Sequence, residues 1–277
     1  MHPLESISHL YIGKSVVDMH ERPEKMSQVA SQAIYGTQVS ILDKSGLYTG
    51  VETPDKYQGW IKKSGLISRE TGYLTTSIIG RVNVLWGHIF QTPDVTRSPP
   101  VVTLVYGTKV EVVSEKKDLD QRWVQVRLLN GKDYWAQSAD FDFSGRALTL
   151  DEMLEESKKL HGIPYLWGGN SSFGYDCSGL VQTLFRQMGI QLPRDAHLQA
   201  ECSILEKGVP DLRPGDLLFF GNKEEDISHV GVFLKGDEFL HSVTSIKNGP
   251  HSVQVGHFLH PVWRNLFRGR RRLKQCG

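Results

Sequence analysis

The first half of the chain alternates. Residues 30–42 (ASQAIYGTQVSIL) and 101–113 (VVTLVYGTKVEVV) are short β-type runs with apolar residues alternating in part, as at Val39 and Ile41 and at Val110 and Val112. That is the period of a strand with one buried face. Both stretches carry Tyr-Gly-Thr, at 35–37 and at 106–108, 71 residues apart. The likeness continues downstream, where Tyr48, Val51 and Trp60 keep the spacing of Trp123, Val126 and Trp135. Turn signals such as Asn130-Gly131-Lys132-Asp133 separate the runs. Two copies of one small β unit account for this pattern. A unit of about sixty residues made of short strands predicts a small barrel, with Trp60, Trp123 and Trp135 in its core.

Near residue 148 the apolar period lengthens to that of a helix. In TLDEMLEESKKLHG, Thr149 and Glu152 form a capping box, and Leu150, Met153, Leu154 and Leu160 make one stripe. Gly162 and Pro164 stop this helix. A second helix, CSGLVQTLFRQM, has Leu180, Val181, Leu184, Phe185 and Met188 on one face, with Gly189 as its stop. A third short helix is expected from Asp195 to Glu201. Strands are expected over 215–221, 229–235 and 238–243, the last two joined as a hairpin by Lys235-Gly236-Asp237-Glu238. Helices followed by an antiparallel sheet make an α+β domain. The expected domains are 1–78, 79–147 and 148–277.

Composition narrows the function classes. The 277 residues carry a formal net charge of +1, so no global field points to nucleic acid. The one concentrated run, RGRRRLK at 268–274, is expected to be a solvated chain end. No apolar run is long enough to span a membrane, and the first twenty residues lack a basic start followed by an apolar run. The expected location is therefore the cytoplasm. Cys177, Cys202 and Cys276 form no disulfide framework and no zinc-type spacing, so no metal site is expected. Cys202 is expected to pack in a helix; Cys276 lies in the tail.

Cys177 is different. It opens an amphipathic helix, where free N–H groups and the dipole favour a thiolate, and polar Asp176 and Ser178 flank it. A nucleophilic thiol needs a base. His229 opens one strand of the predicted hairpin and His241 lies on the other. A turn centred between 236 and 237 sets His229 opposite residue 244 and makes His241 a diagonal neighbour. One histidine could take the thiol proton while the other orients it, the logic of a triad with histidine in the third place.

The blocks GIPYLWGGNSSFGYDCSGLVQTLF, LPRDAHLQ, LRPGDLLFFG, SHVGVFL and FLHS resemble the NlpC-type cell-wall peptidases, papain-like cysteine peptidases of bacteria with a Cys-His-His site. The resemblance covers residues 148–268 and implies Cys177 as nucleophile, His229 as general base and His241 as orienting member. It gives the Tyr165 hydroxyl a part in holding the oxyanion, beside a backbone N–H at the helix start. It places Asp176, Ser178, Arg194 and Ser228 along the substrate groove. The two β units resemble bacterial SH3-like domains. With them, the chain is similar to the γ-D-glutamyl-L-diamino-acid endopeptidases that recycle peptidoglycan stem peptides.

In that subgroup the substrate's free amine meets an aspartate, here Asp195, and a tyrosine, here Tyr57. Asp195 is also placed to be a helix N-cap. One departure stands out: Gln28 occupies a position where the subgroup often carries a glutamate. The resemblance implies a monomer acting on short peptidoglycan-derived peptides through a thioester on Cys177. It implies no cofactor, no nucleic acid and no membrane insertion. Two other readings stay open. One is a different amidase or acyltransferase activity on the same Cys-His fold. The other is a vestigial wall-binding adaptor, against which the intact Cys-His-His set argues.

Overall fold

The computed structural model describes residues 9–223, 225–244 and 251–274. Cys276 lies outside them. The chain divides into two compact units, Met1–Arg146 and Ala147–Gly277.

The first unit holds the repeat. Its first half is seven strands: β1 (His9–Ile12), β2 (Val16–His20), β3 (Val29–Ile34), β4 (Gln38–Ser45), β5 (Tyr48–Glu52), β6 (Gln58–Lys62) and β7 (Leu66–Arg69). Its second half is seven more: β8 (Ile78–Val82), β9 (Trp86–Phe90), β10 (Val102–Val105), β11 (Lys109–Val112), β12 (Trp123–Arg127), β13 (Asp133–Gln137) and β14 (Phe141–Asp142). The first sheet runs β3-β2-β6-β5-β4-β1-β7 and the second β10-β9-β13-β12-β11-β8-β14. The two orders are one order repeated. The Tyr-Gly-Thr turn recurs because Gly36 and Gly107 both adopt φ +80, a conformation that any side chain would strain.

Two expectations are corrected here. The sheets are open ladders: β3 and β7, like β10 and β14, end their sheets and do not pair with each other. Closure needs the end strands to meet, and β3 instead turns directly into β4 through residues 35–37. The three tryptophans are half-buried, and the inward positions belong to their neighbours Ile61, Val124 and Ala136. A period of two sends adjacent residues to opposite faces, so each Trp takes the outer one. The halves are joined by tyrosines: the Leu129 N–H donates to the Tyr35 hydroxyl at 2.6 Å, and the Tyr73 hydroxyl donates to the Arg127 carbonyl at 3.0 Å.

The second unit begins with α1 (Leu150–Ser157), capped by the predicted box: Thr149 Oγ1 accepts from the Glu152 N–H, and the Glu152 carboxylate accepts from the Thr149 N–H. Next come the short strands β15 (Asn170–Ser171) and β16 (Gly174–Tyr175), then α2 (Cys177–Gln187) and α3 (Ala196–Glu201). A six-stranded antiparallel sheet follows, built from β17 (Leu205–Lys207), β18 (Leu217–Gly221), β19 (Ile227–Lys235), β20 (Glu238–Val243), β21 (Ser252–His257) and, after α4 (Pro261–Leu266), β22 (Phe267–Leu273). Its order is β17-β22-β18-β19-β20-β21.

α2 packs on β19 and β20, and α3 on β19. Leu180, Val181, Leu184 and Phe185 of α2 are fully buried, each contributing about 1.5–3 kcal/mol of transfer free energy. Leu218, Phe220, Phe233 and Phe239 form a second apolar cluster, joined by Trp263 and Phe267.

The basic run is therefore no solvated end. It is β22, an interior strand between β17 and β18. Its guanidiniums are bonded: Arg272 grips Asp216 with Nε to Oδ1 at 2.8 Å and Nη2 to Oδ2 at 2.7 Å. Arg268, Arg270 and Arg271 donate to the carbonyls of Asn222, Pro210 and Ala200. Backbone acceptors supply these partners, and backbone acceptors leave no mark in a sequence. Cys202 is also corrected: it is the half-buried residue that ends α3.

Candidate active site

The site is built from the start of α2 and the middle of the large sheet. At α2, the Asp176 carboxylate caps the helix by accepting from the Gly179 N–H at 2.7 Å. The same carboxylate accepts both terminal nitrogens of Arg194, whose Nη1 also donates to Ser178 Oγ at 2.9 Å. Arg194 is only 2 % exposed. Its expected place along the groove is thereby corrected. Asp176 and Ser178 are likewise buried, and all three side chains act on one another to fix the first turn of α2. A Cβ on Gly179 would stand 2.1 Å from the Gly169 carbonyl oxygen, so the backbone of the Gly168-Gly169 turn lies directly on that turn of helix.

Held this way, Cys177 presents its sulfur to β19. The thiol points at the Ser228 carbonyl at 3.9 Å, and the Val230 backbone bonds the same sulfur. The sulfur thus meets the strand on both sides of His229. His229 Nε2 lies 2.9 Å from His241 Nδ1. That bond leaves His229 Nδ1, the ring nitrogen nearer the backbone, for the thiol.

The two histidines share a face because of a bulge. The pairs Val232↔Leu240 and Phe233↔Phe239 give way to Lys235↔Glu238, so Leu234 is an extra residue in β19. Without it, a turn centred between 236 and 237 would have sent the two rings to opposite faces, since a shift of one residue reverses every side chain.

Burial sets the resting protonation. It pushes the Cys177 thiol up to about 12, with the Asp176 charge adding to the rise. It pushes His229 down to about 3, and His241 down as well, with His229 adding to the fall. Each charged form alone is disfavoured, so the resting pair is thiol and neutral imidazole. A proton passing from sulfur to His229 creates both charges side by side, where their attraction offsets the cost.

Tyr165 is half-buried and bridges in parallel to Tyr175, two residues before Cys177. Its hydroxyl pKa is raised, by burial first and then by Cys177 and Asp176. Asp195 is the half-buried N-cap residue of α3, but its side chain makes no cap bond; its carbonyl accepts from the Gln199 N–H instead. Ser228 is exposed beside His229. Tyr57 lies in the first unit, where it packs on the Ile12–Val51 core and its hydroxyl donates to the Ala30 carbonyl at 3.5 Å. Gln28 is exposed in the same unit. Among the described residues, no group of three His, Cys, Asp or Glu gathers to hold a metal, and no helix is long and apolar enough to cross a membrane.

Sequence reasoning missed Trp263, whose ring stacks on His229 with centroids 5.0 Å apart. It also missed Phe239, whose ring lies 4.3 Å from that of His241. Phe239 was legible in principle, two residues before His241 on the same strand face. Trp263 had no local signal.

Residues 162–272 match the NlpC/P60 family, and residues 19–66 match the bacterial dipeptidyl-peptidase Sh3 domain. The chain is 28% identical over 226 residues to the gamma-D-glutamyl-L-lysine dipeptidyl-peptidase of Bacillus subtilis, covering 77% of this chain and 72% of that one. It is 25% identical over 263 residues to dipeptidyl-peptidase 6 of Lysinibacillus sphaericus, covering 90% and 92%. Its fold is that of a crystal structure of an NlpC/P60 family protein from Bacillus cereus, with a TM-score of 0.81 at 21% identity over 96% of this chain and 99% of that one.

Proposed function

For a chain that carries an NlpC/P60 domain behind a bacterial Sh3 domain, we propose a cysteine peptidase of peptidoglycan peptides that hydrolyses the bond between γ-D-glutamate and the following L-diamino acid. The observation that carries it is the sulfur of Cys177 set against both neighbours of His229, with His229 bonded to His241 at 2.9 Å. The thiol proton passes to His229 as sulfur attacks the scissile carbonyl. His241 holds the ring in the tautomer that can receive it. The oxyanion is met by the Tyr165 hydroxyl and an N–H at the start of α2, where the helix leaves its first donors unused. Collapse gives a thioester and returns the proton to the leaving amine; water then releases the acyl part by the same relay.

We assign reception of the substrate's free amine to Asp195, the half-buried residue before α3, on the resemblance of its motif. The resemblance gives Tyr57 the same task and leaves Ser228 at the groove edge. Short peptides and a cytoplasmic recycling role go with a free-amine requirement, as does action as a monomer. Gln28, in place of a carboxylate, weakens that requirement.

Mass spectrometry of products from L-Ala-γ-D-Glu-meso-diaminopimelate, its L-lysine counterpart and the N-acetylated forms tests the reading. Release of L-Ala-D-Glu is expected, faster from free than from acetylated peptides, with Cys177→Ala reducing it by at least about 10⁴-fold. Equal cleavage of free and acetylated peptides would remove the amine pocket and keep the peptidase. No cleavage of any of them would sink the reading.

A further inference from the structure

The His229–His241 pair is seated in aromatic carbon. Trp263 spans both rings: its plane lies 25° from that of His229 at a centroid distance of 5.0 Å, and 80° from that of His241 at 4.8 Å. Phe239 lies 4.3 Å from His241 and Phe220 lies 5.8 Å from His229. Trp263 is braced by the same two phenylalanines, at 5.2 Å from Phe220 and 5.6 Å from Phe239. On β21, a Cβ at Gly256 would stand 2.7 Å from His241 Nε2, so bare backbone closes that side. The groups packed on the pair from β18, β20, β21 and α4 are thus Phe220, Phe239, the Gly256 backbone and Trp263. Among the described residues, the titratable groups facing it are the two imidazoles themselves and Cys177 on α2, which is backed by Asp176 and Arg194 and neighboured by Tyr165.

A triad with a carboxylate in third place offsets the charge of its imidazolium. Here the third member is a histidine, which brings no negative charge. An indole face does: its π cloud is negative, does little for a neutral imidazole and attracts a cationic one. His229 is cationic only while it carries the proton taken from sulfur.

We propose that Trp263 is a positioning residue of this site: it fixes the orientation of the His229–His241 pair and, through its ring face, stabilises the imidazolium that His229 becomes on taking the Cys177 proton. The proton leaves Sγ for His229 Nδ1, the sulfur keeps the bonding electron pair, and no other reactant is consumed. The inference rests on the peptidase reading only for what that transfer serves.

The test is the rate of Cys177 alkylation by iodoacetamide between about pH 2 and 9, in the wild type, Trp263→Phe and Trp263→Leu. It is read by mass spectrometry on the Cys177 peptide, so that Cys202 and Cys276 do not contribute. Phe keeps a π face and is expected within about threefold of the wild type. Leu fills space without one; it is expected to slow alkylation about tenfold and to move the acid limb of the profile to lower pH, because the imidazolium has lost its partner. Loosened packing alone would admit water and move that limb upward. Equal behaviour of Phe and Leu, or an acid limb that stays or rises in Leu, overturns the proposal.

Should Trp263→Leu not fold, a fluorinated tryptophan at 263, which keeps the shape and weakens the negative face, is expected to move the limb in the same direction. An unmoved limb there is equally fatal. Alkylation needs no peptide. A wild type with this profile that cleaves none of the peptides refutes the proposed function and leaves Trp263 its role. A wild type that cleaves them while the Leu profile stays put does the opposite.

Discussion

Among the described residues of the second unit, two carboxylate–guanidinium pairs differ in what surrounds them. Asp176–Arg194 is sealed, with the Arg194 side chain 1% exposed, and it ties the first turn of α2. Asp216–Arg272 leans toward water, with the Arg272 side chain 20% exposed, and it pins an interior strand to the loop before β18. In the first pair the arginine is the more enclosed partner and in the second the aspartate is. The worth of such a pair lies less in the attraction than in the group left behind. Water can reach the second vacancy more readily than the first.

That contrast can be broken most sharply at Arg194. Replacing it by Met strands a buried carboxylate beside Cys177, and denaturant unfolding of the second unit is expected to show a loss of about 3–5 kcal/mol. Lys at the same place should not restore it, because one ammonium cannot serve the carboxylate and Ser178 in a fork. Arg272→Met is expected to cost less, about 2 kcal/mol by the same measurement, and to leave the pH profile of Cys177 alkylation in place. An Arg272 loss equal to the Arg194 loss would mean that exposure does not separate the pairs.

The smallest effect is a shared one, set by pH. His229 and His241 have folded pKa values depressed by burial, so the folded unit binds fewer protons than the unfolded chain below about pH 6.5. Stability is therefore full above that pH and falls as acid is added, by roughly 1–2 kcal/mol between pH 7 and 6. Thermal unfolding followed across this range checks the sign. A midpoint that rises on acidification would show the pair to be charged at rest.

The same contrast explains what could be read in advance. Asp176, Cys177 and Ser178 form one polar cluster at the start of an apolar helix, a pattern with few structural uses, and the capping box at Thr149 was equally plain. The repeat was legible because the Tyr-Gly-Thr turn demands glycine in both copies. The meeting of His229 and His241 on one face was not, since it turns on the extra Leu234 and no residue type announces a bulge. The arginines of β22 misled for a different reason. A dense run of like charge ordinarily belongs to solvent, and their acceptors are Asp216 and carbonyls 46 to 71 residues away. The tryptophans misled by parity alone, for one step along a strand exchanges core for surface.

β22 follows every other strand of its sheet in the chain and yet lies inside it. During synthesis the nucleophile's helix leaves the ribosome 96 residues before Leu273, which at about 5–20 residues per second is a delay of about 5–20 s. Through that interval β18 has an unpaired edge and Trp263 is not yet in place over the histidines. By the order of its strands, the sheet behind Cys177 is complete only once β22 has been made. Nascent chains halted at 266 are expected to show Cys177 alkylating no faster than an unfolded thiol.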